Sequence, residues 1–317
     1  MIVINLALFL IFLLILIKCA DYAIKYSSRL AKVFHFPEFT VSFFIIALIS
    51  VLPELTISII SAFNGQPELG LGTLLGSNVA DLTLVFGIVA LVSSRGIKVK
   101  SKILGNNFYY LILLLFPLIL GFDGKFSRRD GLVLVLLGLL FFVKVYADSH
   151  RLHKNVKYDR KEPFFKSLIF FILSLVILLL SAFLTVKFAV NFASDAKLPA
   201  ILVGMTIIAL GTCLPELIFS IKAVRKNHDS LALGDIFGTV ITDATIVLGL
   251  VALISPFSYN HYNIYITGTA MFLAGLLVTV FMKSDRSINK REGVLLILFY
   301  ILFVFVEFFV NNVLGLK

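Results

Sequence analysis

Laid over itself with a shift of 162 residues, this chain of 317 residues meets a second copy of its own pattern. Between Ile45 and Ile59, ten of fifteen positions agree with Ile207 to Ile221. Ala47, Leu48, Leu52, Pro53, Glu54 and Leu55 meet Ala209, Leu210, Leu214, Pro215, Glu216 and Leu217. A second block, LGLGTLLGSNVADLTLVFG at 69–87, meets LALGDIFGTVITDATIVLG at 231–249. There Gly72, Gly76, Asp81, Thr83 and Gly87 fall on Gly234, Gly238, Asp243, Thr245 and Gly249. Two apolar helices often agree by chance, because Leu, Ile and Val dominate both. A Pro-Glu pair, glycines and an aspartate at one shared offset do not, so the chain reads as an internal duplication, and its fold must seat both copies.

The copies need lipid as their solvent. Of the residues, 60% are hydrophobic and 15% charged, against about 25% charged in ordinary soluble domains. No water-soluble fold hides that much apolar surface, so the chain reads as an integral membrane protein in contact with the bilayer. Ten apolar runs approach or exceed the ~20 residues of a spanning helix: 2–31, 38–63, 69–93, 104–122, 127–147, 164–194, 200–224, 230–255, 262–282 and 291–315. The polar stretch from Asp148 to Pro163 divides them five and five. An odd number of spans turns the second copy upside down. The predicted fold is therefore all-α: ten transmembrane helices in two inverted-topology five-helix repeats. The first repeat is 1–147, with its motif at 47–87; the linker is 148–163; the second repeat is 164–317, with its motif at 209–249. Helices 2 and 7 are expected to break at a shared site near the midplane.

A net charge of +10 would suggest nucleic acid as partner of a soluble chain. Here the cations gather in alternate loops instead. Seventeen lie in one set, at 29–32, 95–102, 151–161, 225–226 and 283–291; five lie in the other, at 125–129, 197 and 317. The positive-inside rule puts the first set and the 148–163 linker in the cytoplasm and both termini outside. Nothing implies nucleic acid or a protein partner. Cys19 and Cys213 lie in apolar runs, so neither a disulfide framework nor a zinc spacing is present. Residues 1–17 lack the basic start and small-x-small end of a signal peptide and read as a retained helix. Tyr109, Tyr110, Tyr262 and Tyr265 are expected at the membrane interface.

Four carboxylates fall deep in the second and third runs of the copies: Glu54, Asp81, Glu216 and Asp243. Each charge in hydrocarbon costs about 2.5–3.5 kcal/mol on insertion scales, and none has an obvious Lys or Arg in its own helix at that depth. Bound cations, protons or both must neutralise them. Pro53 and Pro215 remove backbone donors, which leaves carbonyl oxygens open for cations at a helix break. Carboxylates with carbonyls form a hard oxygen set, suited to Ca2+. The spacing from Glu54 to Asp81, 27 residues, equals that from Glu216 to Asp243, so a helical hairpin turning near 64–66 returns each aspartate to the depth of its glutamate. Ser77 and Thr239 either bind ions or bond a neighbouring helix. Lys25 and Lys187 read as snorkelling cations, Lys18 and Asp21 as a pair within one turn, and the five histidines as solvated groups at span ends. A channel or an intramembrane aspartyl enzyme would not explain a doubled Pro-Glu motif in an inverted repeat. The chain is read as no enzyme, with no catalytic residue and no cofactor.

At these residues the sequence resembles the cation/calcium antiporters, and most of all the sodium/calcium exchangers. GTCLPE at 211–216 and GSNVAD at 76–81 are close to that family's motifs; ISVLPE at 49–54 and GTVITD at 238–243 are looser. The resemblance implies alternating access, with Ca2+ and Na+ competing at the same carboxylates. It implies Glu54 and Glu216 as shared ligands. It adds carbonyls of Ala47, Ser50, Ala209 and Thr212, and hydroxyls of Ser50, Ser77, Thr212 and Thr239. The long first and sixth runs resemble the family's sliding gate helices. Two departures stand out. The serine before Leu-Pro-Glu is Val51 in one copy and Cys213 in the other, and Asp81 stands where Asn is common. Four close carboxylates cannot all stay ionised, so a proton at Asp81 or Asp243 is expected in some states. Proton-coupled exchange of Ca2+ or another divalent ion is the alternative to Na+ coupling. The short linker leaves no room for a calcium-sensing domain, and the expected location is a plasma membrane of prokaryotic type.

Overall fold

Long apolar runs with few interior breakers form helices, and among its described residues the computed structural model is helical apart from four two-residue strands and short turns. It describes residues 2–34, 36–63, 67–99, 108–152, 164–195, 213–259 and 264–313. Helix α1 is Ile2–Phe34. Helix α2 joins Glu38–Val41, a π-helical turn at Ser42–Ile46, and Ala47–Ser50. Helix α3 is Leu52–Phe63. Helix α4 joins Pro67–Ala80, a π-helical turn at Asp81–Val85, and Phe86–Val92. Then come α5, Phe108–Leu120; α6, Arg128–Leu152; α7, Phe164–Asp195; and α8, Leu214–Arg225. Helix α9 joins Asp229–Thr242, a π-helical turn at Asp243–Val247, and Leu248–Ile254. Helix α10 joins a π-helical turn at Ile264–Gly268 to Thr269–Ser284, and α11 is Lys290–Val313.

Seven of these helices are long and apolar enough to cross a bilayer, where the sequence suggested ten runs. The difference has local causes. The second run is divided at Val51, and the fourth and seventh begin in residues outside those described. Large apolar side chains are turned outward along the outer helices: Val3 is 78% exposed, Phe165 75% and Leu140 65%. Soluble monomers rarely show so broad an apolar surface; lipid is its natural cover.

Helices related by the 162-residue shift run against each other. Asn5 donates to Asp195 at 2.8 Å, Phe12 stacks on Phe188 at 5.5 Å, and Tyr26 stacks on Phe170 at 5.3 Å. Numbers rising on α1 meet numbers falling on α7, so the pair is antiparallel. These two helices also form a small cluster of their own, around Leu16, Cys19, Ala20, Leu178 and Ala182. Leu214 and Ile218 of α8 pack against it, while other residues of the same two helices, among them Ala23, Ile24, Leu30, Phe171 and Leu175, belong to the main core with α2, α4, α9 and their neighbours.

The halves are cross-braced twice. Strand β1, Ile97–Lys98, pairs antiparallel with β4, Ser287–Ile288; β2, Lys125–Phe126, pairs antiparallel with β3, Phe257–Ser258. Glycine crossings repeat the scheme. A Cβ on Gly249 of α9 would sit 2.7 Å from the Gly131 carbonyl and 3.0 Å from the Val135 nitrogen. At the positions shifted by 162, Gly87 of α4 meets Gly293 of α11, with a Cβ 2.8 Å from its carbonyl. Small residues let membrane helices approach this closely. Gly249→Ala is expected to destabilise by about 1–3 kcal/mol through overpacking, although Ala is the better helix former by about 1 kcal/mol. Thermal unfolding in detergent checks this: a raised midpoint would show that the crossing has slack.

Three local readings need correction. Tyr110 is not turned outward as an interface anchor would be; it is 3% exposed, wedged against Phe141 and Phe237 with ring centroids 5.0 Å away in each case. Asp21 bonds across to α8 and the residue that follows it, to Lys222 at 3.4 Å and Lys226 at 2.8 Å. His228 is not simply solvated but meets Glu38 at 2.8 Å. Partners on other helices are invisible to spacing along one helix.

Candidate functional site

Leu-Pro-Glu is the start of a helix in both copies. Leu52, Pro53 and Glu54 open α3, and Leu214, Pro215 and Glu216 open α8. Proline costs least in the first turn, where its missing N–H had no partner to lose. The break in the first copy is therefore brief. Val51 alone separates α2 from α3, its N–H still bonding the Ala47 carbonyl at 3.0 Å, and Leu55 bonding Val51 at 2.9 Å. Leu217 bonds Cys213 at the same 2.9 Å in the second copy. Each glutamate thus sits in a helix's first turn, where the backbone dipole favours negative charge.

The aspartates are set by a different device. Asp81 and Asp243 are each the first residue of a π-helical turn. Such turns loosen the backbone ladder and recur at functional sites. Two residues on, Thr83 donates to Val79 O at 2.5 Å, and Thr245 donates to Ile241 O at 2.6 Å. The threonine hydroxyls supply donors one turn back, where the ladder changes register. The duplicated Asp-x-Thr is the local sequence of this turn.

All four carboxylates are buried: Glu54 and Asp81 are 2% exposed, Glu216 1% and Asp243 0%. Both oxygens of Glu216 and of Asp243, with Glu54 Oε2 and Asp81 Oδ1, have no hydrogen-bond partner among the described residues. Glu216 lies within electrostatic reach of Asp81 and Glu54, and Asp243 within reach of the same two. The group is a mutual field rather than a tight chelate. Among the described residues no three acidic, histidine or cysteine side chains converge as a metal cluster.

Of the other expected site residues, Ala47 is fully buried, and its carbonyl accepts from Val51 with a lone pair to spare. Ser50 ends α2 and donates to Asp235 Oδ1 at 3.4 Å. Ser77 donates to Leu74 O at 3.1 Å. Thr239 is 1% exposed with its hydroxyl unpartnered among the described residues. Ala209 and Thr212 lie outside the described residues. Cys213, at the position of the resemblance's serine, donates to the Ser77 carbonyl at 3.9 Å and lies within reach of Asp81.

Two features escaped the sequence reading. Asp235 is a fifth carboxylate, fully buried and within electrostatic reach of Asp81 and Glu216. The duplication carried the signal: an ionisable residue inside an apolar run, opposite Thr73 in the other copy. Asn78 donates to the carbonyl of Val240 at 3.3 Å, and these two positions are 162 residues apart. The copies therefore touch at equivalent points, beside the acidic group.

The sequence profile described as sodium/calcium exchanger protein matches residues 4–147 and 166–309. The chain belongs to the sodium/calcium exchanger family. The two matched segments differ by 162 residues at both ends, the same shift that overlays the copies. The exchanger MaX1 of Methanosarcina acetivorans is 27% identical, over 98% of this chain and all of that protein. The inner membrane protein YrbG of Escherichia coli is 32% identical, over 79% of this chain and 80% of its own. Among solved structures, the sodium-calcium exchanger NCX_Mj soaked with Na+ and Sr2+ superposes with a TM-score of 0.82 at 26% identity, over 95% of this chain and 98% of its own. The protein is thus a multi-pass membrane member of an exchanger family.

Proposed function

We propose that this exchanger moves Ca2+ against Na+ by alternating access, with the two ions competing for Glu54, Glu216, Asp81 and Asp243. The observation that carries the reading is the buried carboxylate oxygens on four helices, unpartnered among the described residues. Burial of bare charge is prohibitive, so a site of this kind exists to be filled by cations. The glutamates are the shared ligands. Carbonyls of Ala47, Ser50, Ala209 and Thr212 complete the ion sites with the hard oxygens that Ca2+ favours, and hydroxyls of Ser50, Ser77, Thr212 and Thr239 help bind Na+.

The architecture in this proposal is the inverted repeat of ten helices, 1–147 and 164–317 about the cytoplasmic 148–163 linker, with both termini outside. Its support is the antiparallel run of α1 and α7, the reciprocal strand pairs and the Asn78–Val240 contact. The contacts of α1 and α7 with each other, from Asn5–Asp195 to Tyr26–Phe170, suit two helices that slide over the core as a pair. Their tie through Asp21 to Lys222 and Lys226 is re-formed or broken in that motion.

Proton coupling is the second reading, favoured by the fourth carboxylate: Asp81, where Asn is common in the family, faces Cys213. Calcium-45 uptake into proteoliposomes, with Na+ and pH gradients set independently, separates the two. Uptake is expected to follow the Na+ gradient at constant pH. Uptake that ignores Na+ and follows pH would assign the coupling to protons.

A further inference from the structure

We propose that Asp235 is a fifth cation-binding carboxylate, forming with Ser50 and Thr239 a subsite for a monovalent cation on one side of the exchange site. The inference deepens the exchanger reading and rests on it for its place in the cycle. Asp235 is 0% exposed, and its Oδ2 has no hydrogen-bond partner among the described residues. Its Oδ1 accepts from Ser50 at 3.4 Å, the long limit of a hydrogen bond. One turn on, the Thr239 hydroxyl is equally buried and unpartnered among the described residues. Asp235, Thr239 and Asp243 follow at i, i+4 and i+8, so they line one face of α9, with about 12 Å between the aspartates.

The packing aims this face at a helix end. Gly234 and Gly238 flank Asp235, and they bring the α2 backbone against it. A Cβ on Gly234 would strike the Phe39 carbonyl, and one on Gly238 would lie 2.5 Å from the Ala47 Cβ. Ser50 is the last residue of α2. The C-terminal end of a helix carries open carbonyls and partial negative charge, which adds to the carboxylate in attracting a cation. A single carboxylate with two hydroxyls and carbonyls offers too little charge for a divalent ion, which favours several carboxylates and six to eight oxygens. It fits a monovalent ion of the size of Na+.

The duplication makes the subsite one-sided. The position equivalent to Asp235 is Thr73, which is neutral. Asp235 lies six residues from the start of α9 at Asp229, on the side of the membrane that Arg225 and Lys226 occupy. The path from that side carries a charge that its counterpart lacks, so the two directions of exchange differ in their affinity for the monovalent ion.

The test uses the full chain in proteoliposomes and in detergent. For Asp235→Asn and Asp235→Thr, the Na+ concentration giving half-maximal exchange is expected to rise about tenfold, the size of one charge-assisted interaction with the ion. The Ca2+ value is expected to change several-fold less, and Asp235→Glu to recover part of the Na+ affinity. Thr239→Ala is expected to shift the Na+ value in the same direction. Equal Na+ dependence in parent and Asp235→Asn would overturn the proposal, as would a parallel loss for both ions with a lowered unfolding midpoint in ion-free buffer. If the parent protein moves no Ca2+, the exchanger reading fails separately. The subsite is then read from Na+-dependent thermal stabilisation, which Asp235→Asn must diminish; equal stabilisation of both proteins rejects it.

Discussion

Glu216→Gln is expected to lower Na+-driven calcium-45 uptake by roughly 100-fold or more, because carboxylate charge sets Ca2+ affinity over several decades. The substitution keeps shape and volume and removes one charge. Both Glu216 oxygens are buried and lack partners among the described residues, so the change breaks no protein hydrogen bond seen there. Glu216 also feels the repulsion of Asp81, Glu54 and Asp235. The ion-free variant is therefore expected to unfold at or above the temperature of the parent, while losing the rise in midpoint that Ca2+ gives the parent by mass action. A folding defect would lower both midpoints together. Uptake within tenfold of the parent, with the Ca2+-dependent rise intact, would remove Glu216 from the ion path.

The glutamates and aspartates were legible because duplication exposes them. Chance seldom writes Pro-Glu twice at one offset, and hydrocarbon makes each carboxylate conspicuous. The π-helical turns at Asp81 and Asp243 were not legible, since their register depends on where Thr83 and Thr245 send their hydroxyls. Pro53 and Pro215 were legible as breakers, but their place in a first turn came only with the structure. Asp235 was hidden because a duplication draws the eye to matches, and it is a mismatch with Thr73. Tyr110 and Asp21 were misplaced for one shared reason: their partners belong to helices distant in sequence. What two copies share reveals a fold; what they do not share shows where its two sides differ.

Arg95→Ala is expected to cost about 3 kcal/mol of stability, the penalty for taking the cation from a buried ion pair. Arg95 lies between α4 and β1, in the first half. Its guanidinium reaches Asp229 at 2.9 Å, where α9 of the second half begins, and the Val224 carbonyl at 3.4 Å. Asp229 is fully buried and accepts from the Lys98 N–H at 3.3 Å. Its charge is also favoured by the α9 N-terminus, but neither of these replaces a guanidinium. Strand β1, which follows at once, pairs with β4, so the ion pair anchors one of the two braces between halves. Thermal unfolding is expected to fall by about 4–5 °C for a chain of this size. Arg95→Lys keeps the charge without the planar fork, and its midpoint should lie between those of Arg95→Ala and the parent. The double variant Arg95→Ala/Asp229→Ser is expected to be more stable than Arg95→Ala alone, because the buried charge is gone with its partner. A midpoint for Arg95→Ala within a degree of the parent, or a double variant no better than the single, would show that Asp229 is held by its other neighbours and that the brace does not depend on Arg95.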